Sequence, residues 1–599
     1  MAHHEQAQEQ ETEPLRDPLR AHDERRDFAS ADRLPAIVAI AAVVGAMSTG
    51  AAWALLHLIR FFTNLFFFQT LSDAPTSPAT NTLGLLVIAV PVIGGLVIGL
   101  MARYGSEKIR GHGIPEAIEA ILFNKSRMSP KVAVLKPISS GIAIGSGGPF
   151  GAEGPIIMTG GALGSLAGQF FHITGGERKT LLVAGAVAGM TAVFGTPIAA
   201  VMLAVELLLF ELRPRSLLPA AVACCVAAAT RPLLLDGGAL FPLMTTTPDF
   251  ATLGGCAIAG LVAGALSWTV STTLYKVEDL FGLLPIHWMW WPALGAVVVG
   301  IGGVIDPAVL GVGYSNITML LAGSMSVSAA VLLLWDKMLV WIVALSSGTS
   351  GGVLAPLLIL GGALGAIEAH WMPFGDAGFW ALLGMTAILG GTMRAPLTAI
   401  LFAIELTGNI HVLPALLCAS VAGYGFTVLA MRRSILTERI ARRGLHLTRE
   451  YGVDPFDIMR VGEIMAQPVD TLPAAMPIPE VIAFFGTGDE RHKSYPVVSA
   501  DGRLVGLVSR GDVLRWTRGG FGPEDTLGDL CTVVGTAYPD EIAGALADRM
   551  SQGRFSRVPV IAREGGKLVG LVTRRELLRV RALALKIENE RDGAVKLAG

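Results

Sequence analysis

The sequence predicts an all-α polytopic membrane domain built from two inverted repeats, followed by a smaller cytoplasmic α/β domain. Three observations support this prediction. Of the 599 residues 52% are hydrophobic and only 16% are charged, whereas soluble globular proteins carry about 25% charged residues. Long apolar runs fill the chain from Leu34 to about Ala430, and ordinary soluble composition begins beyond Arg432. Inside the apolar region, two pairs of similar segments recur at nearly the same spacing.

The first 33 residues are polar and highly charged and contain no apolar core. We therefore expect residues 1–33 to form a disordered cytoplasmic tail rather than a signal peptide. The formal net charge of −2 provides no basic field that would attract nucleic acid. No nucleophile–base set, phosphate loop or metal-ligand spacing is visible, so the sequence predicts neither an enzyme nor a metal site.

Residues 34–445 are predicted to form the membrane domain. Its apolar runs lie at 36–58, 84–103, 179–208, 251–268 and 328–345. Several of them are long enough to cross about 30 Å of hydrocarbon. Other apolar stretches are short or interrupted by Gly and Pro, which predicts broken helices. We expect a multi-pass protein of the cell (inner) membrane that contacts the lipid bilayer and has both termini in the cytoplasm.

Two internal repeats organise this domain. GPIIMTGGALG at 154–164 is similar to APLLILGGALG at 355–365, and GMTAVFGTPIAAVMLAVEL at 189–207 is similar to GMTAILGGTMRAPLTAILFAIEL at 384–406. The first pair is offset by 201 residues and the second by 199, counted between matched prolines. Such halves are typical of transporters. Glu206 and Glu405 occupy equivalent apolar helices, which favours a structural role through buried hydrogen bonds.

The segment GSGGPFGAEGP at 145–155 interrupts the apolar region with glycine and proline. These residues allow new helices to begin inside the membrane. A helix start leaves several N–H groups unpaired and carries a partial positive charge. Several starts that face one point attract an anion without a full positive charge, which would bind it too tightly for release. The predicted ligand is therefore a small anion.

Three motifs resemble those of the CLC family of chloride channels and proton-coupled chloride antiporters, over roughly residues 35–445. GAEGP at 151–155 resembles the family's G-x-E-G-P, GHGIP at 111–115 resembles G-S-G-I-P, and GVLAP at 352–356 resembles G-x-F-x-P. The resemblance implies a homodimer with one pore per subunit, which binds chloride or a similar small anion. The anion-binding residues that it implies are Gly111, His112, Gly113, Ile114, Pro115, Gly151, Ala152, Gly154, Val353, Leu354 and Leu436.

The resemblance also implies that Glu153 is the gate, with a carboxylate that competes with chloride for the anion site. Protonation of this carboxylate, or displacement by chloride, would move it away, so gating by pH or by voltage is expected. The alternative is a glutamate that merely caps a helix start. An intramembrane carboxylate on an interrupted helix favours the gate.

Three positions depart from the family pattern. His112 replaces the usual serine, Leu436 aligns with the central tyrosine, and Leu207 occupies the place of the internal proton-handling glutamate. We expect His112 to line the pore, with helix capping as the alternative; an imidazole there would make transport pH-dependent. Because leucine cannot titrate, the sequence favours channel-like or weakly proton-coupled conduction.

Two other functions remain as alternatives. One is a proton/chloride antiporter with a non-standard relay, formed by His112, a water chain or Glu211, which lies about one helical turn beyond Leu207. The other is a ligand-sensing membrane regulator with a vestigial pore, against which the intact Glu153 motif argues.

Residues 446–599 contain two similar copies, RHKSYPVVSADGRLVGLVSRGDVLR at 491–515 and RFSRVPVIAREGGKLVGLVTRRELLR at 554–579. They resemble paired CBS domains, which we place at about 461–520 and 526–582. In nucleotide-binding relatives an acid binds ribose and a hydroxyl three residues earlier helps to bind phosphate. This implies Ser509 with Asp512, and Thr573 with Glu576, as candidate ligands of an adenine nucleotide. The alternative is a purely structural pair, and no cofactor is expected to be required.

Overall fold

The computed structural model describes residues 33–580, apart from residues 125, 172, 236, 246–247, 373–374, 444–455, 457–458, 487–491, 518, 520, 522–523, 533 and 554. Nearly all of the predicted N-terminal tail, and the predicted domain boundary at 445–446, lie outside these residues. The chain divides into two compact units, one within residues 30–450 and the other within residues 451–599.

The larger unit is helical. Its helices are α1 (Leu34–Phe68), α2 (Ala89–Tyr104), α3 (Ile114–Leu122), α4 (Pro130–Gly145), α5 (Glu153–Phe170), α6 (Gly175–Phe194), α7 (Pro197–Leu203), α8 (Pro214–Leu234), α9 (Phe250–Gly282), α10 (Trp291–Ile305), α11 (Tyr314–Leu321), α12 (Val327–Ser346), α13 (Leu354–Glu368), α14 (Ala377–Met393), α15 (Pro396–Thr407), α16 (Leu413–Ala430) and α17 (Ile435–Arg442). A π-helical turn, Ala204–Leu209, continues α7, and 3₁₀ turns lie at Pro78–Thr80, Gly84–Ile88, Glu107–Ile109, Trp288–Trp290 and Pro307–Val309.

Seven helical segments within the described residues are long and apolar enough to cross a membrane: Leu34–Phe68, Gly84–Tyr104, Pro214–Leu234, Thr252–Gly282, Trp288–Ile305, Val327–Ser346 and Leu413–Arg442. Four of the five predicted apolar runs lie in these spans. The fifth, 179–208, is broken instead of forming one helix. Gly195 adopts a left-handed φ of 71° that ends α6, and Pro197 then begins α7.

Glycines allow the helices of each repeat to pack closely. In the first half, a Cβ atom on Gly160 of α5 would lie 2.2 Å from the Gly185 carbonyl oxygen of α6. In the second half, a Cβ atom on Gly361 of α13 would lie 2.3 Å from the Gly384 carbonyl oxygen of α14. Contacts of this kind, with small residues at the interface, are typical of helix pairs in membranes. They confirm that the repeated segments occupy equivalent places.

The smaller unit contains two helix-and-strand modules. The first comprises β1 (Leu472–Pro473), α19 (Ile478–Gly486), β2 (Ser494–Val498), β3 (Leu504–Ser509), α20 (Arg510–Trp516) and α21 (Leu527–Leu530). The second comprises α18 (Val461–Ile464), α22 (Ala543–Gln552), β4 (Arg557–Ile561) and β5 (Leu568–Thr573). Strand β2 pairs in parallel with β1 and antiparallel with β3, and β4 pairs antiparallel with β5. Pro496 faces Leu507 as Pro559 faces Leu571, so the two sequence copies form equivalent hairpins.

Candidate anion-binding site

Backbone hydrogen bonds join the three predicted motifs at one place. The Gly352 amide donates to the Gly151 carbonyl at 2.9 Å, and the Gly151 amide donates to the Gly352 carbonyl at 3.4 Å. The Gly111 amide donates to the Thr349 carbonyl at 3.2 Å. Because α3, α5 and α13 begin directly after these segments, three helix N-termini lie around one buried region, as the motifs predict.

Glycine is required where two of these segments cross. A Cβ atom on Gly154 would lie 1.9 Å from the His112 carbonyl oxygen, and a Cβ atom on Gly113 would lie 2.5 Å from the Gly154 carbonyl oxygen. Real Cβ contacts essentially never fall below 3.0 Å. The backbone of the His112 segment therefore lies directly against the start of α5.

The Glu153 carboxylate occupies the point where the two repeats meet. The residue is fully buried, and its Oε1 atom accepts a hydrogen bond from the Leu354 amide at the start of α13. Its Oε2 atom has no hydrogen-bond partner within the described part of the chain. Cβ atoms on Gly151 and Gly352 would lie within 1.9 Å and 2.4 Å of this carboxylate. The two glycines thus provide the space in which a negatively charged group contacts a helix start.

The other predicted ligands differ in what they can donate. The Gly113 amide donates to the Glu116 Oε2 atom at 2.9 Å, and Pro115 has no amide hydrogen and serves to start α3. The remaining predicted amides lie within or just before the first turn of a helix, where amides lack an intrahelical acceptor: Ile114, Ala152, Gly154, Val353 and Leu354. In this structure the Leu354 amide is occupied by Glu153.

His112 is buried, with 1% of its surface exposed. Neither ring nitrogen has a hydrogen-bond partner among the described residues. The cap of α3 is provided by Glu116, whose carboxylate accepts from the Gly113 amide. The structure therefore does not show the imidazole in the alternative capping role, and both ring nitrogens are left available for a ligand.

Two of the positions that depart from the family pattern are apolar and buried, and the candidate relay Glu211 lies among cations. Leu207 and Leu436 are fully buried. Glu211, the candidate relay, accepts a hydrogen bond from the Ser216 hydroxyl at 2.8 Å. Its carboxylate also lies 3.5 Å from the Lys179 ammonium and 3.8 Å from the Arg213 guanidinium. Two cations and a hydroxyl thus surround this carboxylate.

A charged cavity of about 450 Å³ leads to the His112 segment. Its wall includes Met158, which packs directly against Gly113. Six of its side chains are basic and four are acidic: Lys108, Arg110, Arg127, Arg439, Arg442 and Arg443, against Glu107, Glu116, Glu119 and Glu278. A cavity with an excess of basic groups raises the local concentration of anions.

Two buried lysines were not identified from the sequence. The Lys136 ammonium donates to the carbonyls of Ile109 and Gly111, both at 2.8 Å. The Lys337 ammonium donates to the carbonyls of Val309 and Gly311, at 2.8 and 3.1 Å. The lysines are 201 residues apart, the offset already found between Pro155 and Pro356, so this offset is the signal that could have identified them.

Glu206 and Glu405 have the structural role that the sequence predicts. Glu206 accepts from the Leu397 and Thr398 amides at 3.2 and 2.8 Å, at the start of α15. Glu405 accepts from the Ile198 and Ala199 amides at 2.9 and 2.8 Å, at the start of α7. Each repeat thus caps a helix of the other, a reciprocal arrangement that reflects the two-fold relation of the halves.

Within the smaller unit, one of the two predicted nucleotide sets borders a cavity of about 510 Å³. Thr573 and Glu576 line it, together with basic residues that include Lys493 and Arg557, whereas Ser509 and Asp512 do not. Both acids hold local caps: Asp512 accepts from the Ser509 amide at 2.9 Å, and Glu576 accepts from the Thr573 amide at 3.1 Å. Burial raises the pKa of Asp512, but hydrogen bonds from Ser509 and Arg515 lower it below its usual value.

Solved structures with similar folds include three CLC proteins. A slow cyanobacterial Cl⁻/H⁺ antiporter is 22% identical, with a TM-score of 0.60 over 69% of this chain and 98% of that chain. A eukaryotic CLC transporter is 19% identical, with a TM-score of 0.57 over 90% of this chain and 97% of that chain. A CLC-type fluoride/proton antiporter is 19% identical, with a TM-score of 0.58 over 68% of this chain and 98% of that chain. At these identities the similarity shows the fold.

The sequence profile of the family described as "Voltage gated chloride channel" matches residues 94–428, which is more than half of the chain. The CBS-domain profile matches residues 461–519 and 528–583. With the apolar helices, these matches identify a multi-pass membrane protein with a pair of CBS domains. The chain belongs to the CLC family of voltage-gated chloride channels.

Proposed function

We propose that this protein conducts chloride or a similar small anion through a CLC-type pore gated by Glu153, passively or with weak proton coupling. One observation carries the proposal: the Glu153 carboxylate accepts from the Leu354 amide, at the junction of the two repeats. A helix start is a site for anions, so the carboxylate occupies a place that a transported anion needs. Conduction then requires the carboxylate to leave, which is the property of a gate.

The proposed anion ligands are the helix-start amides around this point, together with His112. The ring nitrogens of His112 have no partner among the described residues, so a ring N–H can donate to an anion that arrives from the charged cavity. Leu436 is buried and contributes only apolar surface, since its side chain has no donor. The backbone shape of this site is proposed to depend on Gly111, Gly113, Gly151 and Pro115.

Weak proton coupling is supported by the surroundings of the missing relay. Leu207 is buried and cannot carry a proton. Glu211, the candidate substitute, is already engaged by Ser216, Lys179 and Arg213. Coupled exchange is the second candidate, because two proteins with similar folds are described as anion/proton antiporters.

The experiment that separates these candidates is a reversal-potential measurement on the purified protein in liposomes, under imposed chloride and proton gradients. A passive chloride pathway predicts a reversal potential set by the chloride gradient alone. A fixed exchange ratio predicts a potential that shifts with the proton gradient, and that result would assign the protein to the antiporters.

Family membership supports a further proposal on assembly and location. We propose a homodimer in the cell (inner) membrane with both termini in the cytoplasm, a transport domain over residues 34–445 and a regulatory domain over residues 446–599. An adenine nucleotide is proposed to bind beside Thr573 and Glu576, where the basic cavity can accept phosphates. We assign the chain no enzymatic reaction.

A further inference from the structure

A second loop repeats the design of the GHGIP motif on the opposite half of the protein. GVGYS at 311–315 lies 200 residues beyond GHGIP at 111–115. The glycines of both loops are left-handed: φ is 84° at Gly111 and 91° at Gly113, and 68° at Gly311 and 79° at Gly313. Gly113 packs against Met158, and Gly313 packs against Ile359. The two loops therefore have the same backbone form and the same position in their repeats.

The supporting contacts are also duplicated. Lys136 and Lys337 donate to two carbonyls within or just before their own loop. Each loop is also hydrogen-bonded to the opposite repeat: the Gly111 amide donates to the Thr349 carbonyl at 3.2 Å, and the Gly311 amide donates to the Gly147 carbonyl at 3.0 Å. Gly147 lies in the segment that leads to Glu153. The second loop is thus hydrogen-bonded to the segment that precedes Glu153, in the same way as the first loop is hydrogen-bonded to the segment that precedes Leu354.

The two loops differ in their side chains. The first carries His112, whereas Val312 occupies the equivalent place in the second and supplies no donor. The second loop carries Tyr314, and the equivalent place in the first is Ile114. The first loop therefore carries one hydrogen-bonding side chain, that of His112, whereas the second carries two, those of Tyr314 and the exposed Ser315.

The Tyr314 hydroxyl is buried and has no hydrogen-bond partner in the described structure. The ring packs edge-on against Phe241, with 5.9 Å between ring centroids. The Gly311–Gly147 hydrogen bond joins the loop that carries this hydroxyl to the segment that leads to Glu153. Among the described residues, the Tyr314 hydroxyl and the Glu153 Oε2 atom are both buried and both lack a hydrogen-bond partner. Leaving both unpaired is costly.

We propose that the Tyr314 hydroxyl receives the Glu153 carboxylate after the carboxylate leaves the Leu354 amide, and so stabilises the open gate. The inference rests on the proposed function, in which Glu153 is the gate. A hydroxyl that donates to a carboxylate forms a charge-assisted hydrogen bond. The carboxylate then exchanges one donor for another, and the Leu354 amide is released to the anion. Tyr314 is a positioning residue for the gate and not itself an anion ligand.

The test compares Tyr314→Phe in two backgrounds, the parent protein and Glu153→Ala, by chloride efflux from liposomes. Phenylalanine keeps the ring that packs on Phe241 and removes only the donor. In the parent we expect efflux to fall about tenfold, the effect of losing a hydrogen bond to a charged group. In Glu153→Ala we expect no change, because there is no carboxylate to receive. Tyr104→Phe, at an exposed tyrosine, is the matched control and should leave efflux and melting temperature unchanged.

Two results would overturn the inference. An equal fall in both backgrounds would give Tyr314 a structural role or a direct role in anion binding. An unchanged rate in the parent background would show that the open gate does not use this hydroxyl. Failure of the gate assignment is seen separately, since Glu153→Ala alone would then conduct as the parent does.

Discussion

Replacing Gly154 by alanine tests the geometry of the site most severely. The new Cβ atom would lie 1.9 Å from the His112 carbonyl oxygen, which is 1.1 Å closer than the 3.0 Å that real Cβ contacts respect. The neighbour is backbone and not the end of a flexible side chain. The His112 segment and the start of α5 must therefore separate by about an ångström.

Overpacking of this kind typically costs about 1–3 kcal/mol. For domains of a few hundred residues each kcal/mol lowers the melting temperature by about 2–4 °C. We therefore expect the melting temperature of purified Gly154→Ala to fall by about 2–12 °C. Anion flux should also fall, because the shift changes the distance between the His112 segment and the helix start that carries Glu153.

The assay is thermal unfolding of the purified protein in detergent, followed by chloride flux in liposomes. The matched control is Gly425→Ala on α16, where a Cβ atom would have no heavy atom within 4 Å. Because alanine favours a helix by about 1 kcal/mol over glycine, the control should be at least as stable as the parent. If Gly154→Ala melts and conducts as the parent does, the close crossing of the two segments is refuted.

Three further predictions concern other parts of the protein. Glu206→Ala and Glu405→Ala should each lower the free energy of unfolding by about 1–2 kcal/mol, as lost helix caps do. If thermal unfolding shows only one of the two variants to be less stable than the parent, the reciprocal arrangement is contradicted. Glu576→Ala should weaken binding of an adenine nucleotide to the full-length protein about tenfold in calorimetry. Asp512→Ala removes a similar cap outside the cavity and should leave nucleotide affinity unchanged. An equal loss of affinity in both variants would contradict the assignment of the site to Glu576. His112→Ser should still conduct but should lose part of the dependence of flux on cytoplasmic pH, since an imidazole can take up a proton and a serine hydroxyl cannot. Superimposable pH curves would refute a pore role for this side chain.

The sequence predicted the repeats and the helix breaks because glycine and proline act locally. Gly195 ends one helix and Pro197 begins the next, so these two residues divide the apolar run 179–208. The roles of Glu206 and Glu405 were predictable for a similar reason, since an acid within an apolar helix needs donors. The identity of those donors depends on the packing of the repeats and could not be inferred from one segment.

The second loop was missed because its resemblance to the first lies in backbone form. GVGYS shares only two glycines with GHGIP and lacks its proline. Lys136 and Lys337 gave no signal either, because a lone lysine in an apolar run does not show which carbonyls it will contact. The unpartnered ring of His112 and the unpartnered hydroxyl of Tyr314 are properties of the assembled site, and they depend on segments far apart in the chain.

The central claim, that the Glu153 carboxylate gates the pore, is tested most directly by chloride efflux from Glu153→Gln liposomes as a function of external pH. A neutral amide cannot compete as an anion for the Leu354 N–H, so the variant should conduct faster than the parent near neutral pH and show little dependence on external pH. Glu368→Gln is the matched control: Glu368 is also buried, both of its carboxylate oxygens lack partners in the described structure, and it lies at the far end of α13, so its replacement should leave the efflux curve unchanged. An efflux rate and a pH dependence in Glu153→Gln equal to those of the parent would contradict the account.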